Sequence, residues 1–147
     1  MDELLAVIVA IEDYPKWCYQ TSSVNLIKVE GNKIYYSYRS KTPPIVSDRE
    51  AYFCIELSTD SLSGSEIVDM NVYQSSEPVP KGIVRIPYAK GSWTFTPLDS
   101  GEILVVFQMH ADPGGKIPAW LANLASVESP RVTLDNFRKM VKKRRIN

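Results

Sequence analysis

The feature that most constrains this chain is a corner at Asp112-Pro113-Gly114-Gly115. Residues 103–109 before it are apolar and strand-like. From residue 117 onward, apolar residues recur at helical spacing. Proline pre-sets φ at the first central position of a turn and glycine supplies a positive φ at the second, so the corner has a mechanism of its own. The chain before the corner reads mostly as sheet, and the chain after it reads as helix. A helix joined to a β-meander in this way has only the sheet against which to bury its apolar stripe.

Taken in order, residues 2–11 read as a helix, with Asp2 as its cap and Leu4, Leu5, Ile8 and Ile11 at helical spacing. A buried strand is the rival, because 7–11 is rich in β-branched residues. Tyr14 ahead of Pro15 marks a boundary. Pro15 at a first helical position predicts a short turn that plugs Trp17 into the core. Six strands are expected: 24–30, 33–41, 49–58, 66–74, 82–88 (continued at 93–97 after a bend at Lys90-Gly91) and 103–109. Gly31-Asn32 supplies a two-residue hairpin turn. Ala51, Phe53, Ile55 and Leu57 alternate with polar neighbours, as do Val68, Met70 and Val72. Segment 75–82, SSEPVPKG, reads as a stiff hairpin loop or as a gate with Val79 at its tip. After the corner, 117–127 reads as a short helix opened by Pro118. Ser129-Pro130 then caps a last helix carrying Val132, Leu134, Phe137, Met140 and Val141 on one stripe.

A chain of 147 residues with this pattern reads as one α+β domain, 1–147. Lysine plus arginine equals aspartate plus glutamate, 17 each, which argues against bulk nucleic-acid affinity. The charge is uneven, however: Arg138, Lys139, Lys142, Lys143, Arg144 and Arg145 crowd the C-terminus without an acid. They either complement the helix dipole or dock on anionic lipid. Cys18 and Cys54 make neither a disulfide framework nor a metal motif, and read as reduced thiols. The apolar run at 4–11 is too short to span a membrane and follows Asp2 and Glu3, the wrong charge for a secretory leader. A soluble cytoplasmic protein is expected.

Chemistry is scarce. His110 is the one histidine; no nucleophile motif accompanies it, no phosphate-binding glycine loop is present and no His/Cys cluster has metal spacing. No catalytic residue, metal or cofactor is assigned. What stands out is an apolar surplus. Tyr36, Phe53, Ile55, Met70, Val72, Phe107 and Met109 can share one sheet face, opposite Leu134, Phe137 and Val141. They either fill a dry core or wall a cavity for an apolar ligand, and periodicity does not separate the two.

The motifs have an order. Asp13-Tyr14-Pro15-x-Trp17 comes first, then a proline-rich link and Asp48-Arg49-Glu50, then Lys81-Gly82-x-Val84-Arg85, Trp93 and Pro97. Asp112-Pro113-Gly114-Gly115 with Ile117-Pro118-x-Trp120 comes next, and Pro130-x-x-Thr133-Leu134-x-x-x-Arg138 closes the series. In this order and spacing the chain resembles the START domain, the steroidogenic acute regulatory protein-related lipid-transfer module of the helix-grip superfamily. The resemblance spans nearly the whole chain. It implies a curved antiparallel sheet of about six strands around a long C-terminal helix, with one lipid or other hydrophobic molecule bound between them without catalysis. It implies ligand contacts from the ten apolar residues named above, and a loop at the tunnel mouth with Val79 and Pro80 as gate. Arg49 and Arg85 are implied to be buried cations tying strand ends through carboxylates, and Asp112, Pro113 and Gly114 to be structural.

Two departures carry expectations. Sterol-carrying members have a charged pair inside the tunnel where this chain has Tyr36 and Ile55, which points away from a sterol. Family domains usually begin with further strands, so a domain shortened at its N-terminus, with an open sheet edge that invites a homodimer, is expected. A cyclase or aromatase of the wider superfamily is the alternative, with Tyr36, Tyr38 and His110 as its only acid–base candidates.

Overall fold

The computed structural model describes residues 1–146. The N-terminal run is helical: α1 is Asp2–Val9, and a 3₁₀ turn at Ile11–Lys16 comes after it. Leu4, Val7 and Ile8 are buried, the spacing of a helix face and not of a strand. Asp2 is not the cap. It lies in the first turn, where its charge faces the positive end of the helix, and Met1 holds the cap position. Pro15 lies inside the 3₁₀ turn and not at its first position. Trp17 comes next and is only 2% exposed. The Tyr14 hydroxyl donates to the Ile8 carbonyl at 2.6 Å and closes the turn back on α1.

Seven strands make up the middle of the chain: β1 (Thr21–Glu30), β2 (Lys33–Ser40), β3 (Asp48–Asp60), β4 (Ser65–Val72), β5 (Ile83–Arg85), β6 (Tyr88–Pro97) and β7 (Ile103–Asp112). They form one sheet of order β1-β2-β3-β4-β6-β7, antiparallel except for β5, which pairs parallel with β3. Glu30 pairs with Lys33 across Gly31-Asn32, with Gly31 at φ 59°, so the predicted two-residue turn forms. The register aligns side chains in rows. Tyr36 lies opposite Phe53 and Phe53 opposite Val72; Leu57, Val68, Trp93 and Phe107 make a second row. These rows form the inner face, against which the core collects.

The count is seven and not six because residues 82–97 are two strands. The break falls at Ile86-Pro87, not at Lys90-Gly91, since Pro87 has no N–H to give a ladder. β5 sets Val84 opposite Arg49 on β3, and β6 then lies between β4 and β7.

After the corner, α2 runs unbroken through Ala119–Ile146, 28 residues with Pro130 inside. The two helices expected on either side of Ser129-Pro130 are therefore one. A proline within a helix costs about 3 kcal/mol. Leu121 before it and Thr133, Phe137 and Val141 after it are all buried, and packing along the whole length outweighs that cost. The far end of α2 is tied to the N-terminus: Arg145 pairs with Glu3, and Arg144 lies 3.5 Å from Asp13.

Candidate ligand-binding site

A hollow of about 200 Å³ lies between the inner sheet face, the turn at 14–19 and α2. A second, of about 370 Å³, adjoins it under the N-terminal half of α2. The two share Tyr19, Ile86, Phe107, Met109, Ala111 and Ser129. Their origin is visible in the helix. Leu121, Ala125, Ser129, Thr133, Phe137 and Val141 recur every four residues and form one ridge. Its ends are large and pack down: Phe137 is 3% exposed, with ring centroids 4.9 Å from Trp93 and 5.5 Å from Trp17. Its middle is small, and where Ala125, Ser129 and Thr133 cross the sheet the helix leaves space.

The inner hollow is walled by aromatic rings. Tyr36 stacks on Phe53 at 5.5 Å, Trp93 stacks on Phe107 at 4.4 Å, and Tyr14 meets Trp17 edge-on at 5.1 Å. Such offset and edge-on pairs are worth about 0.5–1.5 kcal/mol beyond their burial. The turn that carries Trp17 is held to α2 by two hydrogen bonds: Tyr19 N–H donates to Thr133 Oγ1 at 3.2 Å, and Asn136 Nδ2 donates to the Trp17 carbonyl at 3.2 Å. The polar groups here are neutral. Burial pushes the Tyr38 hydroxyl up to about 12, and raises the Tyr36 hydroxyl and the Cys18 thiol as well.

Of the ligand contacts expected from sequence, Tyr36, Phe53, Met70, Phe107 and Met109 stand in the wall of the inner hollow. Ile55 is 0% exposed beneath them, and neither Ile55 nor Val72 reaches either hollow. The helix face differs from expectation. Leu134, Phe137 and Val141 line a separate groove of about 650 Å³ beside β7 and Leu4, rimmed by Arg138, Lys142 and Arg145. The hollows are roofed instead by the ridge between Leu121 and Thr133. Taking Pro130 as a helix start hides the N-terminal half of that ridge. The four-residue recurrence of small side chains is the signal that finds it. Trp17, Trp93 and Ala89 also join the wall.

Val79 is 47% exposed, and neither it nor Pro80 lines a hollow. Their segment is pinned at its base, where Arg85 Nη1 donates to the Glu77 carbonyl at 2.6 Å and to that of Ser75 at 3.4 Å. Arg85 also donates through Nε and Nη2 to Glu50 Oε1, at 3.1 and 2.5 Å, and is the expected carboxylate-tied cation. Arg49 is not. It is 3% exposed and meets no carboxylate among the described residues; its guanidinium donates to three carbonyls, those of Ser47 (2.5 Å), Pro113 (3.3 Å) and Gly114 (2.7 Å). A planar fork of donors suits such a set of acceptors. Asp112 Oδ1 accepts the Gly114 N–H at 2.9 Å, and Gly114 takes φ 67°, which only glycine adopts freely.

His110 is exposed at the far side of β7, with its ring 5.7 Å from Tyr88, and lines neither hollow. Among the described residues no three His, Cys, Asp or Glu side chains stand close enough to hold a metal ion.

No family model matches the chain. An uncharacterized protein of Pseudomonas aeruginosa is 31% identical over 130 residues, which are 88% of this chain and 63% of that relative, so the chain spans less than two thirds of its length. Human STARD10 shares the fold, with a TM-score of 0.82 at 17% identity, over 97% of this chain and 58% of that one. The crystal structure of a STAR-related lipid transfer protein (fragment 25–204) from Xanthomonas axonopodis superposes with a TM-score of 0.85 and is 33% identical. That match covers 96% of this chain and 78% of the other. The sheet, the long C-terminal helix and this identity together place the chain in the STAR-related lipid transfer (START) domain family.

Proposed function

We propose that this chain binds, and passes on, a lipid or other hydrophobic small molecule without changing it chemically, in the double hollow beneath α2. The observation that supports this reading is the wall itself: rings and aliphatic groups with neutral polar groups around the inner hollow, and a mainly apolar outer hollow whose one charged side chain, Arg49, is held by backbone carbonyls. Sites for apolar ligands are built that way. Family membership supports it too, since the Xanthomonas neighbour is described as a lipid transfer protein. The proposed contacts are Tyr36, Phe53, Met70, Phe107 and Met109 from the sheet, with Ser129 and Thr133 from the helix.

The cyclase-type alternative loses its main acid–base group, because His110 stands outside both hollows. Tyr36 and Tyr38 remain; both are neutral at pH 7 as tyrosines ordinarily are, and burial raises them further, away from the range of a general base.

The test is native mass spectrometry of protein purified from cells, against an Ala111→Trp variant. Ala111 lies where the two hollows meet and is exposed, so the larger ring blocks the space at little cost to stability. A bound hydrophobic molecule in the wild type, lost in the variant, is expected. A wild-type protein that carries no ligand and takes up none from lipid extract sinks the reading.

Two finer proposals concern partners. β1 and β7 are the edges of the sheet, and Leu104 and Val106 on β7 are 50% and 37% exposed. We propose a homodimer through such an edge; a monomeric mass in light scattering at high concentration argues against it. We also propose contact between the exposed bases of α2 and anionic membrane. Co-sedimentation with anionic vesicles that survives neutralising Arg138, Lys139, Lys142 and Lys143 counts against that. No helix among the described residues is long and apolar enough to cross a membrane. Cys18 and Cys54 are unpaired, which suits the reducing cytoplasm proposed as its compartment.

A further inference from the structure

We infer that the double hollow admits one hydrocarbon chain and no more, so that its ligand is a single-chain lipid with the chain end inward and the head at the mouth. This rests on the proposed ligand-binding reading and narrows it to a chemical class.

Volume is the first observation. An engineered apolar cavity of about 150 Å³ holds benzene, which is about 25 Å³ per carbon. By that measure the inner hollow, of about 200 Å³, takes about eight carbons, and the outer, of about 370 Å³, about fifteen. The two share part of their walls, so one acyl chain can run from one into the other. A diacyl lipid brings two such chains and leaves the second in water. Each methylene left out forfeits about fourfold in affinity. A four-ring sterol skeleton is too large for either hollow alone, and being rigid it cannot divide itself between them.

The roof is pinned at both ends, so the space is held at this size. Toward the C-terminus, Phe137 packs against Trp17 and Trp93, Thr133 accepts the Tyr19 N–H, and Asn136 donates to the Trp17 carbonyl. Toward the N-terminus, Arg49 holds the corner through the carbonyls of Pro113 and Gly114. Between these ties the small side chains of Ala125, Ser129 and Thr133 set the height of the roof.

The two hollows also differ in access. Tyr14, Trp17, Phe53 and Trp93 of the inner wall are buried, whereas Gln20 and Ser126 of the outer wall are exposed and uncharged. A polar head is therefore solvated at the outer hollow, and the chain end fills the inner one.

The experiment loads the protein from dioleoylphosphatidylcholine vesicles that carry equal amounts of cholesterol, dioleoylglycerol and monoacylglycerols with saturated chains of graded length. Gel filtration frees the protein of vesicles, and native mass spectrometry weighs it with its cargo. One monoacylglycerol per protein molecule is expected, with occupancy greatest near a chain of about eighteen carbons. Ala125→Phe adds a ring of benzene's size to the outer wall, and should move that maximum down by about six carbons. Because the variant can fail to fold, the wild type also decides by itself. Bound dioleoylphosphatidylcholine, dioleoylglycerol or cholesterol overturns this inference alone, as does an occupancy that ignores chain length or a folded variant whose maximum stays put. Protein that leaves the vesicles empty overturns the ligand-binding reading with it.

Discussion

Arg49 Nη2 donates to the Gly114 carbonyl at 2.7 Å, and this contact joins the start of β3 to the corner from which α2 departs. The corner at 112–115 sets where the helix starts, and Arg49 sets where the corner sits on the sheet. Gly115 packs against the same guanidinium: a Cβ there would stand 3.1 Å from Nη2. The arginine works here through geometry, since its partners are three carbonyls and no acid.

Arg49→Lys should therefore be costly although it conserves charge. An ammonium cannot reach three carbonyls spread around a planar fork. A loss of about 2–3 kcal/mol is expected, the value of one or two hydrogen bonds to a charged donor. Urea unfolding measures it, and a midpoint equal to that of the wild type would show the fork to be dispensable.

Glu50 bridges two arginines of unequal burial. Its side chain is 9% exposed, that of Arg85 19% and that of Arg39 39%. Glu50→Gln leaves Arg85 without its carboxylate and should cost about 3 kcal/mol. Arg39→Ala removes only a partly solvated pair, and should cost less than about 1 kcal/mol. Chemical denaturation of both variants checks the ranking; equal losses would contradict it.

Alkaline pH should unfold the protein. Burial raises the folded-state pKa of Tyr14, Tyr36 and Tyr38, the last to about 12, above the ordinary value of 10.0. Below pH 10 these phenols are protonated in both states and contribute no pH dependence. Above it the unfolded chain loses protons that the folded chain keeps, so stability falls as pH rises. Each phenol contributes about 1.4 kcal/mol per pH unit in that window. Tyr38→Phe should reduce the slope between pH 10 and 12, read from urea midpoints at stepped pH. A stability flat to pH 11 would refute this.

Pro130→Ala should stabilise α2. Alanine restores an N–H for the preceding turn and removes the clash of the ring, a gain of about 1–3 kcal/mol by helix propensity. Thermal unfolding measures it. Because Pro130 lines the outer hollow, a shift in ligand affinity should accompany the gain in stability.

Much of this fold is legible in the sequence. The alternation of Ala51, Phe53 and Ile55 on β3 reappears as 0%, 6% and 0% exposure. A period of two leaves a half-buried strand little choice of face. Gly31-Asn32 and Gly114 take the backbone their chemistry favours, with both glycines at positive φ. Sequence and structure part where a local rule meets a longer-range demand. Pro130 reads as a helix start because proline favours one, yet the buried ridge on both sides of it keeps α2 whole. The bend expected at Lys90-Gly91 belongs at Ile86-Pro87, where β5 leaves to pair with β3, a partner distant in sequence.

The site divides along the same line. Patterning identifies Tyr36, Phe53, Met70, Phe107 and Met109 as residues of one face, because side-chain direction along a strand is a local property. Which part of α2 faces them, and whether space remains between, depends on two surfaces brought together by the corner. Large residues at Phe137 and Val141 close the gap at one end, and Ala125, Ser129 and Thr133 leave it open in the middle. The sequence by itself determined most of the strands, the corner, the balance of charge and the family resemblance, all of which arise from neighbours along the chain. The tertiary structure alone decided the hollows and the unpartnered indole of Trp17, because a cavity is volume left between elements, and no single element carries it.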